Sequence, residues 1–262
     1  MSIHPTAVVD PKAELARDVS VGPYAVIGAG VRLGERVRIG PHVVIDGRTT
    51  IGADSEVFPF AMLGAAPGHL KDRGEGTELI IGARVSIREH VSLHRGTNVG
   101  TGRTVIGDEC TILSHAHVGH DCAIGKGVLI TNAVLLAGHV ELADHVVIGG
   151  NSVVHQHCRM GTLSMLGGLS GIGVDVPPYC LASGVRAGLF GLNEVALERR
   201  GMPSGTIQAL RSAYRTIFRS GMRREEAVRK AREDCPHVAE VQHFVQFIEA
   251  SKRGLSRHGR GA

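Results

Sequence analysis

The chain contains no tryptophan, and only 3% of its 262 residues are aromatic. Ordinary globular cores draw much of their buried area from Phe, Tyr and Trp, so a core here has to be aliphatic. Also missing are a positively charged start followed by an apolar run, and any apolar stretch long enough to span a bilayer. Neither a signal peptide nor a transmembrane segment is expected. The five cysteines are odd in number, and Cys110, Cys122 and Cys158 fall at equivalent places in the repeat described below. That placement reads as buried free thiols, and the cytoplasm is the expected compartment. Zinc-finger spacing and aromatic-plus-basic strand motifs are absent, which argues against nucleic-acid binding. Glycine is abundant at 36 residues, yet collagen periodicity is lacking.

What the chain does have is a period of six. An apolar residue recurs from Ile3 through Val9, Leu15, Val21, Ile27, Leu33, Ile39, Ile45, Ile51 and Val57 to Leu63. The count resumes in phase at Ile81, Ile87, Leu93 and Val99, shifts by one residue, and runs from Ile106 through Val118, Leu136 and Val154 to Ile172. Four places after each apolar residue sits a small or β-branched one, such as Ala25, Val31, Cys110 or Ser152, and glycine often follows it directly, as at Gly22 and Gly40. Neither a helix nor a two-residue alternation has this period. A coil with three flat faces, one hexad per face, does. The apolar residue then points inward, the small one fills the interior, and glycine is expected to take the corner conformation. Prolines such as Pro5, Pro11, Pro23 and Pro41 are accepted at corners, where no ladder amide is needed. Eighteen residues make one rung, rungs stack about 4.8 Å apart, and only stacking makes the core continuous.

The interruption near residues 64–79 contains Pro67-Gly68 and Gly74-Glu75-Gly76, which are turn signals. A coil needs no such excursion, so it is a candidate cover for a ligand, with His69, Lys71 and Arg73 as reachable polar groups. Past Ile172 the hexads stop at Val176-Pro177-Pro178. From about Arg186 the spacing is helical: Leu189, Leu192, Val195 and Leu197 predict a first helix. Ser204 is a cap for a second carrying Ile207, Leu210, Tyr214, Ile217 and Phe218. Arg224 to Cys235 predicts a third, Pro236 opens a fourth, and the last ten residues are expected to fray. The fold class is therefore mainly β: a parallel β-helix over residues 1–185, then an α-helical domain over residues 186–262. Residues 1–185 hold 14 Lys/Arg against 17 Asp/Glu, while residues 186–262 hold 15 against 8. The basic part is the candidate surface for an anionic partner. Outward valines, for example in Val43-Val44 and Val146-Val147, suggest faces covered by other subunits, and a three-sided tube suits a three-fold assembly.

Seven of the fifteen histidines lie between Ser114 and His157. Stacking by eighteens puts Asp121, His139 and His157 in one column. It brings His120, His155 and Gln156 to the same face, with His117 at the corner leading onto it. Three readings of this cluster stay open. A histidine could act as general base for direct acyl transfer, its tautomer fixed by a carboxylate. Imidazoles on neighbouring rungs could converge on zinc. Or the column could be merely solvated or interfacial.

Several segments together carry a resemblance: the hexapeptide run, His94-Arg95-Gly96-Thr97, His117 through Cys122, Leu136 through His139, Val154-His155-Gln156, Asp175 through Tyr179, and Asn193 through Gly201. Over nearly the whole chain they resemble the acyl-[acyl-carrier-protein]–UDP-N-acetylglucosamine O-acyltransferase family of lipid A biosynthesis. The resemblance implies a left-handed coil and a homotrimer with sites between neighbouring tubes. It implies that His120 deprotonates the sugar 3-hydroxyl, that Asp121 orients it, and that the Gly138 amide stabilises an oxyanion. His94, His117, His139, His155 and Gln156 would line the sugar and pantetheine sites, and Lys71 would contact substrate. Asn193, Arg199 and Arg200 would serve the nucleotide and carrier-protein end. Gly168 would set acyl length, its missing side chain leaving room for a longer chain. No metal and no bound cofactor is implied; the acyl donor rides on the phosphopantetheine of an acidic acyl carrier protein, which the basic tail would attract. Two departures bear on the acceptor: His69 stands where the family usually has Asp, and Val195 replaces a polar group. A 3-amino sugar acceptor, giving an amide, is therefore an alternative. A gamma-type carbonic anhydrase with three zinc-binding imidazoles and a non-enzymatic scaffolding β-helix are the others.

Overall fold

The computed structural model describes residues 1–73 and 76–259. Short parallel strands, mostly two residues long, stack into three sheets of eleven, nine and eight strands, here sheets I, II and III. The chain visits them in turn, I to II to III, and rises one rung per circuit. Val118 pairs with Leu136, Leu136 with Val154 and Val154 with Ile172, each eighteen residues on. The coil is left-handed. The right-handed preference of parallel crossovers arises from packing a crossover helix on its sheet, and these crossovers are tight corners without helices.

The core is a single aliphatic column. Ile27, Ile45, Ile51, Leu63, Ile87, Leu93, Ile112 and Ile130 are at most 1% exposed, as are the small residues Ala25, Ala116, Cys110 and Cys122 between them. Each buried Ile or Leu side chain contributes about 1.5–3 kcal/mol, which explains how the chain dispenses with aromatics. All five cysteines are free. Val43 and Val146, expected on outward faces, are fully buried in this column; only Val44 and Val147 face outward.

The corners differ from expectation. Twenty non-glycine residues have φ between +53° and +64°, and all but Arg186 occupy the third place after the apolar residue. Half are Asp, Asn or His, the types that tolerate this left-handed conformation best. The repeat glycines are needed for another reason. A Cβ on Gly22 would lie 2.9 Å from the backbone of Gly40 and Pro41 on the next rung, so it is close stacking that excludes a side chain. Corner histidines therefore have a backbone explanation. Tyr24, His42, Phe60, His90 and His115 stack in that order in one column along the sheet I–II corner, ring centroids 4.8–5.1 Å apart.

Two insertions break the eighteen-residue rung. Leu63 pairs with Leu93, thirty residues on, and Leu93 with Val118, twenty-five on. Both extra segments leave from sheet II, after Met62–Ala65 and after Ser92–His94, and re-enter sheet III at Glu78–Ile81 and Arg103–Ile106. The second was masked in sequence because Val99 mimicked a hexad position; it is 56% exposed and belongs to the excursion. Both excursions thus project from the corner that carries, on the rungs above, His120 and Asp121.

Above the coil, a hairpin of Cys180–Ser183 and Gly188–Leu192 leads into α1 (Glu194–Arg199), α2 (Ser204–Arg219), α3 (Arg224–Asp234) and α4 (Ala239–Glu249). Leu189 and Leu192, expected in the first helix, lie in that hairpin, and Pro203 rather than Ser204 occupies the position preceding α2. The apolar stripe of α2 packs as expected, with Ile207, Leu210, Tyr214 and Ile217 buried. The tail does not fray through Gly259. Ser251 donates its hydroxyl to the buried Asp175 carboxylate, Ser256 N–H donates to Asp175 O, and Leu255 is buried. Residues 260–262 of that tail, and Gly74 and Glu75 of the expected turn, lie outside the described residues. Among the described residues no helix is long and apolar enough to cross a membrane.

Candidate active site

The first place after the inward residue donates to the rung above, as Gly119 N–H does to Leu136 O; the corner residue donates to the rung below, as His139 N–H does to His120 O. The place between them, two after the inward residue, accepts through its carbonyl but donates no N–H to this ladder, which is why Pro23, Pro41 and Pro59 are accommodated there. His120, Gly138 and Gln156 occupy this same place on three successive rungs. The Gly138 N–H consequently donates to no acceptor among the described residues. A Cβ on Gly138 would lie 2.5 Å from His120 Cε1 and 2.7 Å from Nε2, so only glycine lets the ring lie against this backbone.

His120 Nδ1 lies 2.8 Å from Asp121 Oδ2. The Asp121 side chain is fully buried, and the second excursion wraps it. Thr97 N–H reaches both oxygens at 3.1 and 3.2 Å, and the Thr97 hydroxyl donates at 2.7 Å. Thr101 N–H and hydroxyl donate at 2.8 and 2.9 Å, and Gly102 N–H at 3.1 Å. Burial on its own would raise the carboxyl, but the bonds from Thr97, His120 and Thr101 outweigh it and hold the group at about 2. An ionised carboxylate only accepts, so His120 Nδ1 carries the hydrogen and Nε2 keeps a bare lone pair.

This donor set also bears on metal binding. His120, Asp121 and His139 are the one group at ligand spacing among the described residues, with His139 Nε2 3.8 Å from Asp121. Two imidazoles and a carboxylate differ from the three imidazoles a gamma-type carbonic anhydrase needs. Six donors already fill the lone pairs of Asp121, leaving none for an ion.

Around this pair, the first excursion brings His69 edge-on to the His120 ring, centroids 5.2 Å apart, with His69 Nδ1 accepting from Lys71 N–H at 3.3 Å. The Lys71 side chain is exposed. His139 stacks on His157 at 4.4 Å, and Gln156 is exposed beside them. His117 sits within the strand His117–Val118, not at a corner, and shares a 2.7 Å hydrogen bond with Ser92. His94 meets His117 edge to face at 4.7 Å. Burial, reinforced by the neighbouring His117 and His120, lowers His94 to about 4, and burial likewise lowers His117 and His139. These rings are thus kept neutral at pH 7.

His94, His117, His120 and His155 line one groove of about 1280 Å³ along sheet II, together with Gly138. Its floor is apolar: Leu135 and Val153 are 49% and 47% exposed there, an arrangement unusual unless a ligand covers it. Phe190, Val185 and the returning tail from Leu255 to Gly259 wall its upper end, and Arg253 reaches His155 Nδ1 at 3.3 Å.

The remaining expected residues lie elsewhere in the single chain. Asn193 is buried, its side-chain amide donating to Leu163 O at 3.0 Å, and Arg200 donates to His145 at 2.8 Å. Leu163 and His145 are corner residues between sheets III and I. Arg199 is exposed at the end of α1, and Gly168 lies at the sheet I–II corner beside Gly150, outside the groove. The residues that sequence reasoning missed are Ser92, Thr97, Thr101 and Arg253. For the threonines the one-residue phase shift was the available signal.

A histidine fixed by a buried carboxylate, beside a backbone N–H without an acceptor among the described residues and above an apolar groove on a coil of hexads, is the constellation of a hexapeptide-repeat acyltransferase. The comparisons agree with that class. Residues 12–47 match a family model described as bacterial transferase hexapeptide (six repeats), and residues 175–256 match one described as UDP-N-acetylglucosamine O-acyltransferase, domain 2. The acyl-[acyl-carrier-protein]–UDP-N-acetylglucosamine O-acyltransferase of Halorhodospira halophila is 48% identical over 97% of this chain and 99% of its own. The crystal structure of a UDP-N-acetylglucosamine O-acyltransferase from Moraxella catarrhalis superposes with a TM-score of 0.95 at 40% identity, covering 98% of this chain and 100% of that one. A solved Acinetobacter baumannii homologue gives 0.95 at 43%, covering 97% and 99%. The chain belongs to the acyl-[acyl-carrier-protein]–UDP-N-acetylglucosamine O-acyltransferase family.

Proposed function

We propose that the protein transfers a 3-hydroxyacyl chain from acyl carrier protein to the 3-hydroxyl of UDP-N-acetylglucosamine, with His120 as general base. The observation that carries this reading is the pairing of a bare His120 Nε2 with the unpartnered N–H of Gly138 across one rung. His120 Nε2 takes the hydroxyl proton as the sugar oxygen attacks the thioester carbonyl. Negative charge then gathers on the carbonyl oxygen, where the Gly138 N–H stabilises it; one such donor is worth about 3–4 kcal/mol. As the tetrahedral adduct collapses, the C–S bond breaks and the imidazolium returns its proton to the leaving phosphopantetheine sulfur. Asp121 remains ionised throughout and stabilises the imidazolium. No acyl-enzyme is formed.

In this reading the apolar groove holds the acyl and pantetheine chains, while His69, Lys71, His139 and Gln156 meet the sugar. Asn193, Arg199, Arg200 and Gly168 are assigned to the nucleotide end and the acyl tip. They stand on other corners than His120, so the complete site needs a neighbouring copy, and a homotrimer is the assembly proposed. The basic α-helical domain is the docking surface for the acidic carrier protein, and the cytoplasm is the compartment proposed.

Product mass after incubation with 3-hydroxyacyl carrier protein tests the reaction. An ester with UDP-N-acetylglucosamine is expected, and His120→Ala should lower the rate by about 100- to 10,000-fold with the assembly intact. Full activity of that variant would refute the base. One observation favours a second acceptor: His69 lies against His120 where the family usually has Asp. An amide formed only from the 3-amino analogue would replace the ester reading.

A further inference from the structure

One residue of the recognised segments has no role in the chemistry above. Arg95 Nε donates to Thr77 Oγ1 at 3.1 Å, and its Nη1 donates to Gly64 O at 3.1 Å. These two acceptors bracket the first excursion. The main chain repeats the pattern, Arg95 N–H donating to Ala65 O and Gly96 N–H to Glu78 O. Gly64 and Thr77 are both buried, and a Cβ on Gly47 would come within 2.9 Å of Nη1, so space is reserved for the guanidinium. Among the described residues Arg95 has no ion pair, so its charge is spent on neutral acceptors. Such an arrangement persists when geometry, not charge neutralisation, is what the side chain supplies. Nearer the tip, Asn98 N–H donates to the Asp72 carboxylate at 3.1 Å, tying the second excursion to the first. Between clamp and tie lie His69, which meets the His120 ring, and Lys71.

We propose that Arg95 is a positioning residue for the acceptor sugar: it closes the base of the 64–77 excursion and so sets where His69 and Lys71 stand over His120. The guanidinium reaches both ends of the loop because its Nε and Nη1 point in different directions. A lysine ammonium at the end of a flexible stem cannot replace both bonds. The proposal rests on the acyl-transfer reading for its kinetic consequence, whereas the loop geometry is independent of that reading.

Two variants and two measurements test it. Arg95→Met keeps the stem and removes both donors. It should raise KM for UDP-N-acetylglucosamine about tenfold, the equivalent of ~1.4 kcal/mol, with kcat and the donor KM within about threefold. Trypsin should cut after the exposed Lys71 or Arg73 at least about fivefold faster than in the parent protein, as expected for a loop freed at its base. Arg95→Lys should resemble Arg95→Met. Thr77→Val removes one acceptor at nearly constant volume and should reproduce part of both effects, while Thr77→Ser should not. Unchanged cleavage in both Arg95→Met and Thr77→Val would overturn the clamp, whatever the activity. Faster cleavage with an unchanged sugar KM would overturn the positioning role. Equal losses in kcat and both KM values, accompanied by a lower melting temperature, would reduce Arg95 to a structural residue and also overturn it. Absence of product from the unmodified protein would count against the acyl-transfer reading, not the clamp.

Discussion

Replacing Asp121 by asparagine changes one atom in a site that has no spare acceptor. The carboxylate receives hydrogen bonds from the Thr97 N–H and hydroxyl, the Thr101 N–H and hydroxyl, the Gly102 N–H and His120 Nδ1. Asparagine offers one oxygen. The backbone donors of Thr101 and Gly102 crowd Oδ1, so the amide oxygen settles there and the NH₂ takes the place of Oδ2. The Thr97 hydroxyl can rotate to accept from it. His120 can accept only by moving its hydrogen from Nδ1 to Nε2, which removes the lone pair that the proposed mechanism uses. A wrong-tautomer histidine lowers acyl-transfer rates by about 10⁴ in the triad enzymes, and a loss of 10³–10⁴ is expected here. Stability changes less. Charge-assisted bonds contribute about 1.5–3 kcal/mol each, most are retained in weakened form, and a net cost of about 2–4 kcal/mol follows. The carboxyl stands at about 2 in the fold against 3.8 ordinarily. Its contribution of about 2 kcal/mol is fully present above pH 4 and disappears as pH falls through 2; the variant should lack that dependence. Initial rates of ester formation, with melting curves on the same samples, decide the matter. A folded Asp121→Asn protein retaining more than about a tenth of the parental rate would refute the tautomer argument.

Two further outcomes follow from the same geometry. Gly138→Ala places a methyl group 2.5 Å from His120 Cε1; the ring must rotate away from Asp121 or the rung must shift, so kcat should fall at least 100-fold while the neighbouring rungs still fold, as circular dichroism would verify. His94 titrates near 4 in the fold against 6.5 ordinarily, because it is buried and sits beside His117 and His120. Between pH 6.5 and 4 the unfolded chain binds a proton that the folded one does not, so stability falls as pH drops through that window. After allowance for partial exposure the loss is about 2 kcal/mol, and the melting temperature of His94→Gln should decline less between pH 7 and 4.5 than that of the parent.

The hexads were fully legible because their cause is local. Each inward Ile, Leu or Val and each small residue four places on is required by a tube only a few side chains wide, and the spacing of eighteen carries the pattern from rung to rung. The same counting placed Asp121, His139 and His157 in one column and brought His120 to Asp121, which the structure bears out. Counting failed where the rung length changed. Val99 kept the apparent phase through an excursion, so the loop that wraps Asp121 went unseen and Thr97 and Thr101 with it. The histidine cluster also mixed two causes. His115, His139, His145 and His157 sit at left-handed corners that favour histidine for backbone reasons, while His117, His120 and His155 do not.

The sequence by itself determined the coil, the face that carries His120 and Asp121 and the helical character of the C-terminal part, because all three are periodicities, and a periodicity survives without knowledge of what lies across it. Only the tertiary structure decided what meets that column from outside its own rung. The His69 loop against His120, the Arg95 bonds to Gly64 and Thr77, the unpartnered Gly138 N–H and the tail folding back from Ser251 to Gly259 all join residues with no common spacing. Contacts of that kind are set by where an irregular loop can close in space, and loop closure leaves no period in the chain to count.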